Sequence, residues 1–175
     1  SLAMNKRGRD AEWVAKRLMD RIPHSASPKL HTSNLLVSTI VITKPWLLDG
    51  NQMQGEEIDI ATARAEEYAV DEETGEYTGH KPISVEPTTL EDDVSRREFT
   101  FNTLLWRLSD LAQGPDKAEI IDLTGCGVRD LKNREMHCPG DPDEIFAKDP
   151  TRIIRTIKFA FKYGMKLPPD VKAAA

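Results

Sequence analysis

The 175-residue sequence has no long hydrophobic run and few cysteines, and each shortage excludes a class of protein. Its longest apolar-leaning segment, residues 35–42, is as short as a strand and includes Ser38 and Thr39. A membrane-spanning helix needs about 20 mostly apolar residues, so we expect no membrane partner, and we recognise no signal peptide. The two cysteines, Cys126 and Cys138, are too few for a disulfide scaffold or a zinc framework and indicate a reducing, cytoplasmic compartment.

Two stretches each hold little charge of one sign, although the net charge of -5 conceals this. Residues 56–93 hold thirteen acidic residues against Arg64 and Lys81, whereas residues 148–166 hold six basic residues against Asp149 alone. A local basic stripe can bind phosphate even in an acidic protein, so the net charge does not decide whether RNA is a partner.

Hydrophobic periodicity and β-branched runs predict a mixture of helices and strands. The predicted helices cover residues 10–21, 103–111 and about 149–164, and the predicted strands cover residues 35–43, 57–62 and 119–123. In the strand over residues 57–62, we expect Ile58 and Ile60 on the buried face and Asp59 on the other. Residues 70–87 are rich in acids, glycine and proline, which predicts a mobile loop.

A charged triplet stands directly before an aromatic stretch. Arg96, Arg97 and Glu98 precede Phe-Thr-Phe, and Asn102 follows. We expect Glu98 to hold one arginine by a bidentate pair and to leave the other for a phosphate or a base. A salt-bridged helix start is an equal alternative.

The last predicted helix carries Arg152, Arg155 and Lys158 along one face, with Asp149 at its start. A carboxylate acceptor and guanidinium donors three residues apart at a helix N-terminus can pair with the edge of a base. A capping aspartate followed by a solvated basic edge is the simpler alternative.

Asp59 is the best candidate for a catalytic or metal-binding carboxylate, because it faces away from the apolar side of its strand. An exposed strand acid explains the same pattern equally well. Asp141-Pro142-Asp143 has the spacing of a metal-binding Asp-x-Asp, but its proline favours a turn. No metal ligands are therefore predicted in this chain.

Four segments, in this order, resemble the class II nucleotidyltransferases, which are the tRNA CCA-adding enzymes and bacterial-type poly(A) polymerases. They are "EEIDIATARAEEY", "TLEDDVSRREFTFNTLL", "IIDLTGCGVRDLKNR" and "GDPDEIFAKDPTRIIRTIKFAFKYGMKL". The resemblance implies an α+β fold, with a partial nucleotidyltransferase head containing a mixed β-sheet at residues 4–137. The start of a helical, nucleotide-reading neck would follow at residues 138–175.

The resemblance also implies residue roles. Asp59 matches an acidic strand position near the metal site and is the catalytic candidate. Glu98 and Lys148 depart from the family, which usually has aspartate and glutamate there. The implied nucleotide-binding residues are Arg96, Arg97, Glu98, Asn102, Asp149, Arg152, Arg155 and Lys158.

The implied activity is template-independent addition of AMP, and in CCA addition also CMP, to an RNA 3′ end. The partners would be ATP, with CTP as a second candidate, and the 3′ end of tRNA or another RNA; the complete enzyme would use Mg2+. We do not recognise the family's Gly-Gly turn and catalytic Asp-x-Asp, so we expect a fragment with little or no activity by itself. The alternatives are a non-catalytic nucleotide- or RNA-binding module, or a second polypeptide that supplies the carboxylates.

Overall fold

The computed structural model describes residues 10–48, 51–53, 55–111 and 113–175. The chain divides into two compact units, one of residues 1–65 and 85–90 and the other of residues 66–84 and 91–175. Within the described ranges, no helix combines the length and apolar character that crossing a membrane requires.

The first unit packs a helix on a three-stranded antiparallel sheet. Helix α1 (Ala11–Met19) begins after Asp10, whose carboxylate accepts the Trp13 amide at 2.8 Å, so the predicted helix is confirmed with slightly shorter ends. The strands of the sheet, in spatial order, are β1 (Pro28–Ser33), β2 (Val37–Ile42) and β5 (Glu57–Ala61).

Strand β2 supplies the core of this unit. Ile40 and Ile42 are fully buried, as the two-residue repeat of a strand predicts, and they pack with Ala15 of α1. On β5, Ile60 joins this cluster, whereas Ile58 is 36% exposed, so only part of the expected apolar face is buried.

Four short strands form two further sheets. Strands β3 (Trp46–Leu48) and β4 (Asn51–Met53) form one antiparallel pair, and β6 (Arg64–Glu67) and β7 (Ser84–Pro87) form another two-stranded sheet. The prediction of a loop over residues 70–87 was wrong at its end, where β7 pairs with β6 and satisfies the backbone groups.

The second unit is mainly helical. The longest helix, α6 (Thr151–Tyr163), ends at Gly164, whose φ of 61° lies in the left-handed region that glycine favours. The predicted helix at residues 149–164 is therefore confirmed. The structure also describes the α-helices α2 (Leu90–Ser95), α3 (Leu108–Leu111), α4 (Gly127–Asn133), α5 (Pro142–Lys148) and α7 (Pro169–Ala174).

The aromatic stretch after the charged triplet is anchored in the core of the second unit. Phe99 is fully buried and stacks on Phe101, with ring centroids 5.3 Å apart. Thr100 donates to the buried carboxylate of Asp130 in α4 at 2.6 Å. A Cβ at Gly127 would lie 2.7 Å from the backbone carbonyl oxygen of Thr100, so α4 can approach this stretch only because residue 127 is a glycine.

One predicted helix, over residues 103–111, is wrong. Residues Thr100–Thr103 form a short 3-10 helix, and Leu104 is then extended, with ψ of 133°. The amide and carbonyl of Leu105 pair with those of Ile121, which takes up the hydrogen bonds that a helix would need. Only Leu108–Leu111 is α-helical, and the strand predicted at residues 119–123 is reduced to the bridge at Ile121.

Candidate functional site

Two arginines of the charged triplet share one buried carboxylate. Asp93 lies one helical turn before Arg96 and Arg97, and its side chain is 4% exposed. Arg96 donates from Nε to Oδ1 at 3.1 Å, and Arg97 donates from Nε to Oδ2 at 3.2 Å, each with a second, shorter bond from Nη2. Burial alone would raise the pKa of Asp93, but the hydrogen bonds and charges of Arg97 and Arg96 outweigh it and lower this pKa.

The sequence predicted a different holder for these arginines. Glu98 was expected to pair with one of them, but Asp93 holds both, because spacings of three and four residues bring side chains together on a helix. The prediction that Glu98 holds one of these arginines and leaves the other unpaired for a ligand is thus wrong. Arg97 keeps 39% of its side chain exposed, against 22% for Arg96.

A second buried carboxylate, Glu66 of β6, links the triplet to helix α6. Its side chain is 6% exposed, and its Oε1 lies 2.8 Å from Nη1 of Arg96. Its Oε2 accepts the Tyr68 hydroxyl at 2.9 Å and lies 3.8 Å from Nη2 of Arg152. Burial, with the hydrogen bond to Glu66, raises the pKa of Tyr68 to about 12, so this phenol stays a donor.

Arg152 is held from several sides. Although it lies on the predicted basic face of α6, it is 6% exposed, so the solvated-edge alternative is wrong for this residue. Its Nη1 donates to the carbonyl oxygens of Arg96 at 2.8 Å and Ile145 at 3.4 Å. Its Nε lies 3.7 Å from Oδ2 of Asp149.

The two carboxylate oxygens of Asp149 contact different partners. Oδ1 accepts the amide of Thr151 at 3.0 Å and its hydroxyl at 2.5 Å, which caps the start of α6. Oδ2 faces Arg152 at ion-pair distance, longer than a hydrogen bond. A carboxylate acceptor and guanidinium donors therefore lie side by side without closing on each other.

Glu98 contacts the exposed part of α6. Its side chain is 9% exposed and its Oε1 forms an ion pair with Nη2 of Arg155, which is 53% exposed. The same oxygen lacks a hydrogen bond of good geometry within the described residues. Lys158 is exposed one turn further along α6, and Asn102 is half-buried in the 3-10 helix.

Asp59 lies in the first unit, on β5, and is exposed. Its Oδ1 accepts the hydroxyl of Thr39, its cross-strand partner, at 2.6 Å. The turn predicted at residues 141–143 is wrong, because Pro142 and Asp143 open helix α5 and Asp141 caps it by accepting the amide of Asp143 at 3.0 Å. In the part of the chain that the structure describes, no three His, Cys, Asp or Glu side chains group as metal ligands, so these residues do not fit Mg2+.

Sequence reasoning missed Glu66, Tyr68 and Asp93, although signals were present. Arg64, Glu66 and Tyr68 alternate as inward-facing residues of a strand would. Asp93 stands at helical spacing before two arginines. Glu66 and Asp93 are two of the thirteen acids of residues 56–93, and a stretch so rich in acids is typical of a solvated surface.

The thiol of Cys138 does not add a nucleophile to this site. Cys126 and Cys138 are free thiols. Burial, with the nearby acids Asp170 and Glu98, raises the pKa of Cys138 to about 12, so it stays protonated at neutral pH.

Comparison with known proteins identifies the sequence family. The family model described as the poly A polymerase head domain matches residues 27–137. The tRNA nucleotidyltransferase cca2 of Schizosaccharomyces pombe is 34% identical over 118 residues, which are 67% of this chain and 21% of that protein. Poly(A) polymerase I of Escherichia coli O6:H1 is 33% identical over 82 residues, 47% of this chain and 16% of that protein. The chain thus spans about a fifth of the length of such relatives.

Solved structures share the fold. A CCA-adding enzyme in its apo form is 26% identical, with a TM-score of 0.59 over 94% of this chain and 30% of that one. A tRNA-processing enzyme solved with CTP is 25% identical, with a TM-score of 0.58 over 94% of this chain and 34% of that one. The predicted α+β class, with the head fold of these enzymes, is confirmed.

Proposed function

Because this chain belongs to the poly A polymerase head domain family, we propose that it is the nucleotide-binding part of an RNA nucleotidyltransferase. The single observation that carries the proposal is the pair formed by Asp149 and Arg152. An acceptor oxygen and a guanidinium lie 3.7 Å apart, both partly or fully shielded from water and neither engaged with the other in a hydrogen bond.

This pair is complementary to two of the four bases. Adenine and cytosine each present an amino donor beside a ring-nitrogen acceptor, whereas guanine and uracil present a carbonyl oxygen beside an N–H donor. Oδ2 of Asp149 would accept the amino group, and Nε or Nη2 of Arg152 would donate to the ring nitrogen. The arrangement therefore favours ATP and CTP over GTP and UTP.

The remaining residues of the proposed site suit the sugar and the triphosphate. Positive charge is exposed at Arg97, Arg155 and Lys158. The N–H groups of these side chains would donate hydrogen bonds to phosphate oxygens. Arg96, Glu98 and Asn102 would place the sugar and the first phosphate. We keep the division into a head at residues 4–137 and a neck starting at residue 138 as part of this proposal.

The complete protein would transfer AMP, and CMP if it is a CCA-adding enzyme, to the 3′ end of tRNA or another RNA. The names of the relatives support this substrate class, and the neighbour solved with CTP supports nucleotide binding. A cytoplasmic location remains our expectation from the cysteine content.

The metal-dependent step is proposed to need more than this polypeptide. Mg2+ in the complete enzyme would steady the phosphate charge, but the described residues form no group of three metal-binding side chains, so Asp59 would be one acid of a site that needs further carboxylates. We propose that this polypeptide alone has little or no transfer activity. The second candidate, a non-catalytic nucleotide- or RNA-binding module, is favoured by the use of Asp141 as a helix cap.

The test combines incorporation with binding. Labelled ATP or CTP is incubated with Mg2+, the polypeptide and a tRNA that lacks its 3′ end, and nucleotide binding is measured by calorimetry. We expect binding of ATP or CTP with incorporation no higher than in a protein-free control. Incorporation above that control would contradict the proposed inactivity, and no binding of either nucleotide would contradict the nucleotide site.

A further inference from the structure

Glu66 lies at the centre of the buried charge network that it forms with Arg96 and Arg152. Its side chain is 6% exposed, and a buried charge is tolerated only when partners surround it. Its partners include the guanidinium of Arg96 and the hydroxyl of Tyr68, which bond to its oxygens, and the guanidinium of Arg152, which lies at ion-pair distance.

We propose that Glu66 is a positioning residue that holds the guanidinium of Arg152 away from Asp149 and thereby keeps both groups available to a base. This inference rests on the proposed nucleotide-binding function. Glu66 itself would not touch the nucleotide, because it acts through Arg152.

The geometry of Arg152 supports this role. A guanidinium is planar, so contacts on two of its nitrogens fix the orientation of the third. Nη1 is fixed by the carbonyl oxygens of Arg96 and Ile145, and Nη2 points to Glu66. Nε is then left facing Asp149 at 3.7 Å, where the two groups attract each other without forming a hydrogen bond.

The charges explain why removing Glu66 would matter. Glu66 and Asp149 compete for the same guanidinium, at 3.8 Å and 3.7 Å respectively. Without the charge of Glu66, the repulsion between Arg152 and Arg96 would remain and Asp149 would be the acid left at ion-pair distance, so Arg152 would shorten that contact to a direct hydrogen bond. The acceptor and donors would then satisfy each other, and the base would lose both.

The experiment uses the substitution Glu66→Gln, which keeps the size of the side chain and its acceptor for Tyr68. Glu67→Gln is the matched control, because it removes the same charge from the adjacent, exposed position on β6. Binding of ATP, GTP and inorganic tripolyphosphate is measured for all three proteins. We expect Glu66→Gln to weaken ATP binding about tenfold and to leave tripolyphosphate binding within twofold, with no change in the control.

A second readout does not need a nucleotide. In the ligand-free protein, the Nε–H signal of Arg152 is followed by NMR in the wild type and in both variants. We expect Glu66→Gln to shift this signal as Arg152 closes on Asp149, while the signal of Arg155 stays in place.

The two readouts separate the possible failures. An unchanged Arg152 signal in Glu66→Gln overturns the inference, and so does an equal loss of ATP and tripolyphosphate binding, which would indicate general destabilisation. Failure of the wild type to bind any nucleotide, combined with the expected shift of the Arg152 signal, would overturn the proposed function and the selectivity role, while the positioning of Arg152 would stand.

Discussion

Asp59 on β5 and Glu66 on β6 are acids on consecutive strands, yet their surroundings are opposite. Asp59 is exposed and accepts a hydrogen bond from one threonine hydroxyl. The side chain of Glu66 is 6% exposed and contacts a tyrosine hydroxyl and two arginines. The resemblance to a family selected Asp59 and passed over Glu66. A residue that matches a sequence motif is therefore not always the residue with the strongest electrostatic contacts in the structure.

The contrast has a physical consequence. An exposed acid keeps most of its hydration, so replacing it costs little. Removing one acid from a buried network leaves guanidinium charges without compensation in a region of low dielectric. The four predictions below test whether the acids and arginines of this protein divide along that line, from the largest expected effect to the smallest.

Asp93→Ala should have the largest effect on stability, because Asp93 is the shared partner of Arg96 and Arg97. We expect the free energy of unfolding to fall by about 3 kcal/mol, as measured by urea denaturation. Glu91→Ala, an exposed acid in the same helix, is the control and should cost less than about 0.5 kcal/mol. Equal losses in the two variants would remove the distinction between buried and exposed acids.

The stabilisation by Asp93 should also depend on pH. Its pKa in the folded protein is lowered below its ordinary value of 3.8, so the unfolded chain binds its proton first as the pH falls. The difference in unfolding free energy between the wild type and Asp93→Asn should therefore be constant near neutral pH and shrink as the pH falls below about 4. A difference that stays constant between pH 7 and pH 3 would contradict this assignment.

Arg155→Ala should have an intermediate effect. It leaves the buried carboxylate of Glu98 without its ion-pair partner, but Arg155 is 53% exposed, so water partly replaces it. We expect a loss of about 1 kcal/mol in the free energy of unfolding. The double variant Arg155→Ala with Glu98→Gln should recover part of that loss; a further loss of the same size would mean that the pair is not coupled.

Asp59→Asn should have the smallest effect on stability, at most about 0.5 kcal/mol, since it weakens one exposed hydrogen bond from Thr39. Thermal unfolding of the variant beside the wild type measures this. A cost as large as that of Asp93→Ala would place Asp59 in a buried network after all.

Local patterns allowed much of the fold to be predicted. The strand of residues 37–42 and the helix ending at Gly164 follow from periodicity, β-branching and a glycine stop. The helix expected at residues 103–111 failed because Leu105 bonds to Ile121, a partner sixteen residues away that no local pattern encodes. Tertiary pairing can override helical propensity in this way.

The candidate site could likewise be predicted only in part from the sequence. The likeness to a family selected Asp149 and Arg152, and the structure brings them together at the start of α6. The burial of Arg152 could not be predicted from spacing, because it depends on Glu66 and on the carbonyl oxygens of Arg96 and Ile145. Each of these comes from a distant part of the sequence or another helix.

The most direct test of the account is equilibrium binding of ATP, CTP, GTP and UTP, with Mg2+, to the wild type and to Arg152→Ala. The account predicts that the wild type binds ATP and CTP at least about tenfold more tightly than GTP and UTP. In the variant this preference should disappear, while binding of tripolyphosphate is retained and circular dichroism confirms the fold. The same preference in both proteins would mean that Arg152 does not recognise the base, and would contradict the central claim.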